Sequence, residues 1–224
     1  MTNFDVMINN VPINKVEKTK FLGIIIDSKL NWKEHIALIR NKVSKGIGII
    51  NKTKGILNKI TLRNLYETFI KPYLSYCNIV WGNAPSSYLD CLLKLQKRIV
   101  RIIAGEHYRA HTEHLFKDLN IMNVYQLNVY LTCIFVFKHQ GNILPDIFTD
   151  LFVKNESIHN YNTRSNILLH TPACHSNLGK RNIRYHGAIL WNKILNNPSI
   201  NFLCTLGQIK YQLKEYILYN YDSF

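Results

Sequence analysis

The chain has 224 residues, 47% of them hydrophobic and 12% aromatic, and its 28 Lys+Arg against 14 Asp+Glu give a formal net charge of +14. That apolar content builds a core and excludes a disordered basic tail, while the charge points to a polyanionic partner, nucleic acid before membrane. No uncharged run approaches the roughly 20 residues that span a bilayer, and the first residues lack the basic and apolar regions of a signal peptide.

The length fits one large or two small domains. The charge is uneven: residues 1–112 carry 18 Lys+Arg and 7 Asp+Glu, whereas residues 113–224 carry 10 and 7. The basic surface is therefore expected in the first half. Cys77, Cys91, Cys133, Cys174 and Cys204 are odd in number and form no Cys-x-x-Cys. They read as buried, reduced thiols of an intracellular protein, nuclear or cytoplasmic.

Taken in chain order, Phe4 to Ile8 and Val11 to Val16 read as short strands around an Asn9-Asn10 turn. Phe21 to Ile26 reads as a buried third strand, and Asp27 to Asn31 as the turn and cap that follow it. Trp32, Ile36, Ile39, Val43, Ile47, Ile50 and Leu57 then recur at the helical period, with Lys42, Lys45, Lys52 and Lys59 on another face. Gly46, Gly48 and Gly55 mark either close backbone packing or a break.

Thr61 is expected to cap a helix over Leu62 to Trp81, apolar nearly all round and so central, with a kink at Pro72. Ser86 or Ser87 is expected to cap the next helix, which runs to Ala104 and stops at Gly105. Leu89, Leu92, Leu93, Ile99, Val100 and Ile103 form its apolar stripe, opposite Lys94, Lys97, Arg98 and Arg101. Like charges at such spacing repel in an isolated helix, so the row suggests either a phosphate-tracking face or a solvated one. Later helices are expected at Thr112 to Leu119, Asn123 to His139, Leu144 to Phe152, Arg181 to Leu195 and Thr205 to Tyr219. The polar, irregular stretch 154–177 reads as a boundary between two halves.

The sequence holds no adjacent Asp-Asp pair, no Gly-rich phosphate loop and no Gly-x-Ser-x-Gly. His107, His111 and His114 on the one hand, and His170, Cys174 and His175 with His159 on the other, have spacings that zinc accepts if the rings converge. No local feature selects a Cys–His catalytic pair. Tyr108, Tyr161 and Tyr185 each lie near an arginine, an arrangement that suits either stacking on unpaired bases or ordinary half-buried packing.

Several blocks carry a resemblance. They are the run from Phe21 to Ile36, Trp81-Gly82-Asn83, Leu95 to Ile103, His107-Tyr108-Arg109-Ala110-His111-Thr112, Leu115 to Leu119, Tyr161-Asn162-Thr163-Arg164, Asn177-Leu178-Gly179-Lys180 and Gly187 to Asn192. In this order they resemble the C-terminal part of reverse transcriptases of jockey-like, LINE-type non-LTR retrotransposons. The resemblance implies an RNA-directed DNA polymerase whose catalytic aspartates and Mg²⁺ belong to an upstream part absent from this chain. It also implies a thumb that holds the template–primer duplex by its backbone.

The expected fold is mainly α: a short N-terminal β-hairpin or three-stranded piece, then a helical thumb-like bundle and a helical C-terminal extension. Residues 1–28 are read as a palm remnant, 29–105 as the thumb and 106–224 as the extension. The expected partner is RNA, DNA or an RNA–DNA duplex, gripped by Lys42, Lys45, Lys52, Lys94, Lys97, Arg98, Arg101 and Arg109, with no cofactor and no small-molecule substrate. A helical protein-interaction module and a metal-dependent nuclease remain the alternatives.

Overall fold

The computed structural model describes residues 6–158 and 165–220. The fold is mainly α, with two small N-terminal hairpins. The first pairs β1 (Met7–Ile8) with β2 (Val11–Pro12). Asn9 and Asn10 both take positive φ, as the tight turn between paired strands requires. Phe4, placed at the start of the first expected strand, lies outside the described residues.

The third strand differs from its expected form. Phe21 to Ile26 is not one buried strand: Leu22 and Gly23, both at positive φ, turn the chain between β3 (Lys18–Phe21) and β4 (Ile24–Asp27). Phe21 and Leu22 are exposed, and only Ile24 of this run is buried. The tip is held from afar, because the Tyr76 hydroxyl donates to the Leu22 carbonyl at 2.7 Å.

Asp27 organises the entry into the first helix. Its carboxylate accepts the backbone N–H groups of Lys29, Asn31 and Trp32 at 3.1, 3.2 and 2.9 Å. Leu30 and Trp32 sit at positive φ there, a costly conformation that these bonds hold in place. Burial alone would raise the Asp27 carboxyl, but the N–H groups of Asn31, Trp32 and Lys29 outweigh it and hold it below the usual carboxylate range. A lowered carboxyl stabilises the fold above its unfolded pKa, and that stabilisation is lost as the pH falls through the folded value. Asp27→Ala is expected to cost about 1–2 kcal/mol at neutral pH and less in acid, read from urea midpoints at both pH values.

Helix α1 (Lys33–Thr53) ends short of Leu57. Gly46 is its packing glycine: an added Cβ would stand 3.1 Å from Ile70 Cγ1 and 3.3 Å from the Phe69 carbonyl. Gly55 lies beyond the helix, where the chain turns.

The expected single helix 62–81 is three pieces: α2 (Lys59–Phe69), α3 (Lys71–Ser75) and α4 (Asn78–Trp81). Asn58, not Thr61, caps the first, its side chain accepting from Thr61 N. Pro72 begins a new helix at its first turn instead of kinking an old one. Tyr76 is extended and Cys77 left-handed, which completes the second break. Helix α5 (Ser86–Ala104) follows, with Gly105 at φ +75 as its stop. Pro85 occupies the cap position, so neither Ser86 nor Ser87 is the cap.

Helix α6 (Glu113–Asp118) precedes α7 (Val124–Gln140), which Asn123 and Gln126 start with a reciprocal capping box. The stretch 144–152 forms only a 3₁₀ turn at Asp146–Phe148, not a helix. Helices α8 (Asn177–Lys180), α9 (Ile183–Leu195) and α10 (Leu206–Asn220) complete the described chain.

Residues 62–81 place Leu62, Tyr66, Ile70, Leu74 and Trp81 in the main core, and α7 links that core to the two smaller clusters. One cluster runs from Ile24 through α1, α2–α6 and the first turn of α7, with Leu218. Two others share the rest of α7 with α9 and α10, taking in Phe152 and Leu169. Part of the stretch 154–177 is docked here. Leu169 is buried, and the Asn192 side-chain amide brackets its backbone with bonds of 2.9 and 2.8 Å.

All five cysteines are unpaired, but only Cys133 is fully buried and Cys77 is exposed. The reading of five buried thiols fails because Cys77 caps α4 at a surface break. Among the described residues no helix is long and apolar enough to cross a membrane.

Candidate nucleic-acid interface

The seam between α1 and α5 collects the basic side chains. The two helices form the most extensive helix pair in the fold and run in the same direction, Arg40 lying near Cys91 and Lys54 near Arg101. At the first end, burial raises the Cys91 thiol, and the charges of Arg40 and then Lys94 oppose that rise. At the other end, Lys54, Arg98 and Arg101 line an open groove of 640 Å³ with Asn51, Ile102, Glu106, His107 and Tyr108. Arg40, Lys54, Lys94 and Arg98 are exposed along this line. From Arg40 to Lys54 the rise along the helix is about 21 Å, the length of about six base pairs.

The candidates divide accordingly. Lys94, Arg98 and Arg101 lie on the seam. Arg101 is anchored there, its Nε donating to the Ala110 carbonyl at 2.8 Å. Lys42 lies on the other flank of α1, its ammonium 4.9 Å from the centre of the Tyr73 ring. Lys97 faces α6, lining a separate cavity of 270 Å³ with Glu113 and Lys117, so it is not in the row with its neighbours. Lys45 and Lys52 are exposed on α1 away from the core. Among the described residues neither these seven candidates nor Arg109 forms an ion pair.

Two seam residues, Arg40 and Lys54, are absent from the expected set. With α1 continued to Leu57, Lys54 falls on the apolar side. Lys54, the C-cap, keeps helical φ and ψ, so it stays on the side of α1 that packs on α5 and lines the groove there.

Beyond Gly105 the chain reverses sharply. Glu106 N donates to the Arg101 carbonyl at 2.9 Å. The turn delivers His107 and Tyr108 to the groove's lining, with Arg109 beside them: the two rings are 4.4 Å apart and tilted by 47°, and the Arg109 guanidinium is 5.1 Å from the Tyr108 ring centre. Tyr108 is 67% exposed. Tyr185 is half-buried on α9, and Tyr161 lies outside the described residues.

Among the described residues no three His, Cys, Asp or Glu side chains could hold a metal ion. His107, His111 and His114 therefore do not converge, because Thr112 starts a new helix between them. His170, Cys174 and His175 do not converge either, and His159 lies outside the described residues. Among the described residues no carboxylates gather into a site that could hold Mg²⁺.

No family model and no solved structure matches this chain. Three curated proteins do. The probable RNA-directed DNA polymerase from transposon X-element of Drosophila melanogaster is 26% identical over 126 residues, 54% of this chain and 14% of that protein. The RNA-directed DNA polymerase from mobile element jockey of Drosophila funebris is 27% identical over 122 residues, 53% of this chain and 13% of its own length. Its Drosophila melanogaster counterpart is 29% identical over 119 residues, 52% and 13%. The matched segment is thus a small part of each relative. Over about half its residues, the chain is similar to the RNA-directed DNA polymerases of jockey and X-element non-LTR retrotransposons, in agreement with the resemblance carried by its sequence blocks.

Proposed function

We propose that this chain is a duplex-gripping segment of a retrotransposon RNA-directed DNA polymerase and that residues 29–105 act as its thumb. It holds an RNA–DNA or RNA duplex by the backbone, without reading sequence, along the seam of Arg40, Lys54, Lys94, Arg98 and Arg101. The observation that carries the reading is the grouping of these cations at the two ends of one helix pair, Arg40 and Lys94 near Cys91 and Lys54, Arg98 and Arg101 on one groove. Cations on one face contact phosphates whatever the bases are. With no Asp-Asp pair in the sequence, elongation is assigned to the remainder of the polymerase. The setting proposed is intracellular, in nucleus or cytoplasm, with no membrane or small-molecule substrate.

The test is the salt dependence of binding to a blunt RNA–DNA duplex. In the triple variant Arg40→Glu, Lys94→Glu, Arg98→Glu, the log–log salt slope is expected to fall by about 3 and the affinity by about tenfold or more. Lys97→Glu, off the seam, is expected to leave both nearly unchanged. A flat salt response in the unmodified chain, or equal effects of the two variants, sinks the reading.

The second reading, a protein-interaction module, is favoured by the exposed Val6, Met7, Ile8 and Val11 on the first hairpin. It predicts that the triple variant binds nucleic acid no differently.

A further inference from the structure

The seam ends in a feature that backbone gripping does not use. Phosphates need cations, and Lys54, Arg98 and Arg101 supply them. His107, Tyr108 and Arg109 instead form a cluster of flat groups beside the same end, the two rings tilted 47° to each other, held by the reversal at Gly105 and by the bond that Arg109 N donates to His107 Nδ1 at 3.3 Å. An exposed aromatic ring with a guanidinium beside it has its chemical complement in the face of an unpaired base, since every base presents a π-face and stacks on such a platform. Paired bases inside a duplex keep their faces covered. Only a base beyond the last pair, or a single strand, offers one.

We infer that the end of this groove takes an unpaired base where a duplex stops. The base stacks on the exposed Tyr108 ring, beside His107 and Arg109, while Lys54, Arg98 and Arg101 hold the phosphates leading to it. The chain thereby distinguishes a duplex with a single-stranded tail from a blunt one. The groove is open and 640 Å³ in volume, and its lining carries three cations against one carboxylate, Glu106. Arg101 is fixed by the Ala110 carbonyl, so the floor of the site is positioned before the ligand arrives. The inference rests on the duplex-gripping reading, and it names a feature of the ligand that the seam alone does not need.

The experiment compares three probes by fluorescence anisotropy: a blunt RNA–DNA duplex, and the same duplex with a single-stranded RNA tail or a single-stranded DNA tail. Either tail is expected to tighten binding by about tenfold, the worth of about one stacked base. Tyr108→Ala is expected to abolish that gain while leaving the blunt duplex unchanged, and Tyr108→Phe, which keeps the ring, to retain it. Equal affinity for blunt and tailed probes in the unmodified chain overturns the inference. So does a Tyr108→Ala loss that falls equally on all three. Failure to bind any probe sinks the duplex-gripping reading instead, so the two failures are told apart.

Discussion

Trp81→Ala is expected to lower stability by about 4 kcal/mol, the largest effect of any single substitution considered for this chain. Trp81 is fully buried, and its indole Nε1 donates to the Tyr76 carbonyl at 2.9 Å. The His35 ring stands edge-on to it at 5.7 Å, and the Ile25 backbone N–H donates to the His35 Nδ1 at 3.4 Å. One ring therefore ties α4 to α1 and, through His35, to the second hairpin. Removing it leaves a cavity in the main cluster and an unpaired carbonyl beside it.

The residue after it is constrained as tightly. At Gly82 an added Cβ would stand 2.4 Å from Asn128 Nδ2 and 2.5 Å from Asn78 Oδ1. Those two side chains are buried and bonded to each other at 3.0 Å, with Asn78 also donating to the Leu74 carbonyl at 2.9 Å. Gly82→Ala must push this pair apart, a cost of about 1–3 kcal/mol. Both substitutions disturb the packing of α4 on α7, so the double variant is expected to lose less than the sum. Urea unfolding of the two single variants and the double variant checks the set. A Trp81→Ala loss as small as that of an ordinary surface substitution would contradict the role given to the ring.

The sequence was legible where its signals are local. Gly105 stops α5 because glycine accepts a left-handed conformation. Asn123 and Gln126 mark the start of α7 in the same local way. In 62–81 the disturbance at Pro72 was legible, though as a kink and not as a new helix start, whereas the break at Tyr76 and Cys77 was not. That break accompanies the burial of Trp81 and the Asn78–Asn128 pair, a contact made 50 residues apart in the chain. Phe21 to Ile26 misled because an apolar run looks the same through a strand or through a hairpin turn. Gly23 was the available sign. The candidate site was legible as charge but not as placement. Periodicity put Lys42 with its neighbours, whereas α3 packs on that flank of α1 and Tyr73 takes up the lysine. Lys54 was lost because the helical period puts it on the apolar side of α1, the side that packs on α5.

Acid is expected to destabilise the fold well above the pH at which carboxylates titrate, and His186 is the main cause. Its Nε2 is buried with no hydrogen-bond partner among the described residues, and burial pushes its pKa down to about 4. An unfolded histidine keeps its ordinary value of about 6.5. Between these values the unfolded chain takes up a proton that the folded chain refuses. The full stability is therefore present above about pH 6.5 and declines as the pH falls towards 4. For His186 alone the loss is about 2 kcal/mol at pH 5. His35 adds to it with the same sign, its pKa lowered first by burial and then by the charge of Lys42. His186→Leu cannot titrate, so its stability is expected to change less between pH 7.5 and pH 5 than that of the unmodified chain, whatever the substitution costs at neutral pH. The measurement is the urea midpoint at the two pH values. Parallel losses in both proteins would mean that the His186 ring is protonated as readily in the fold as outside it.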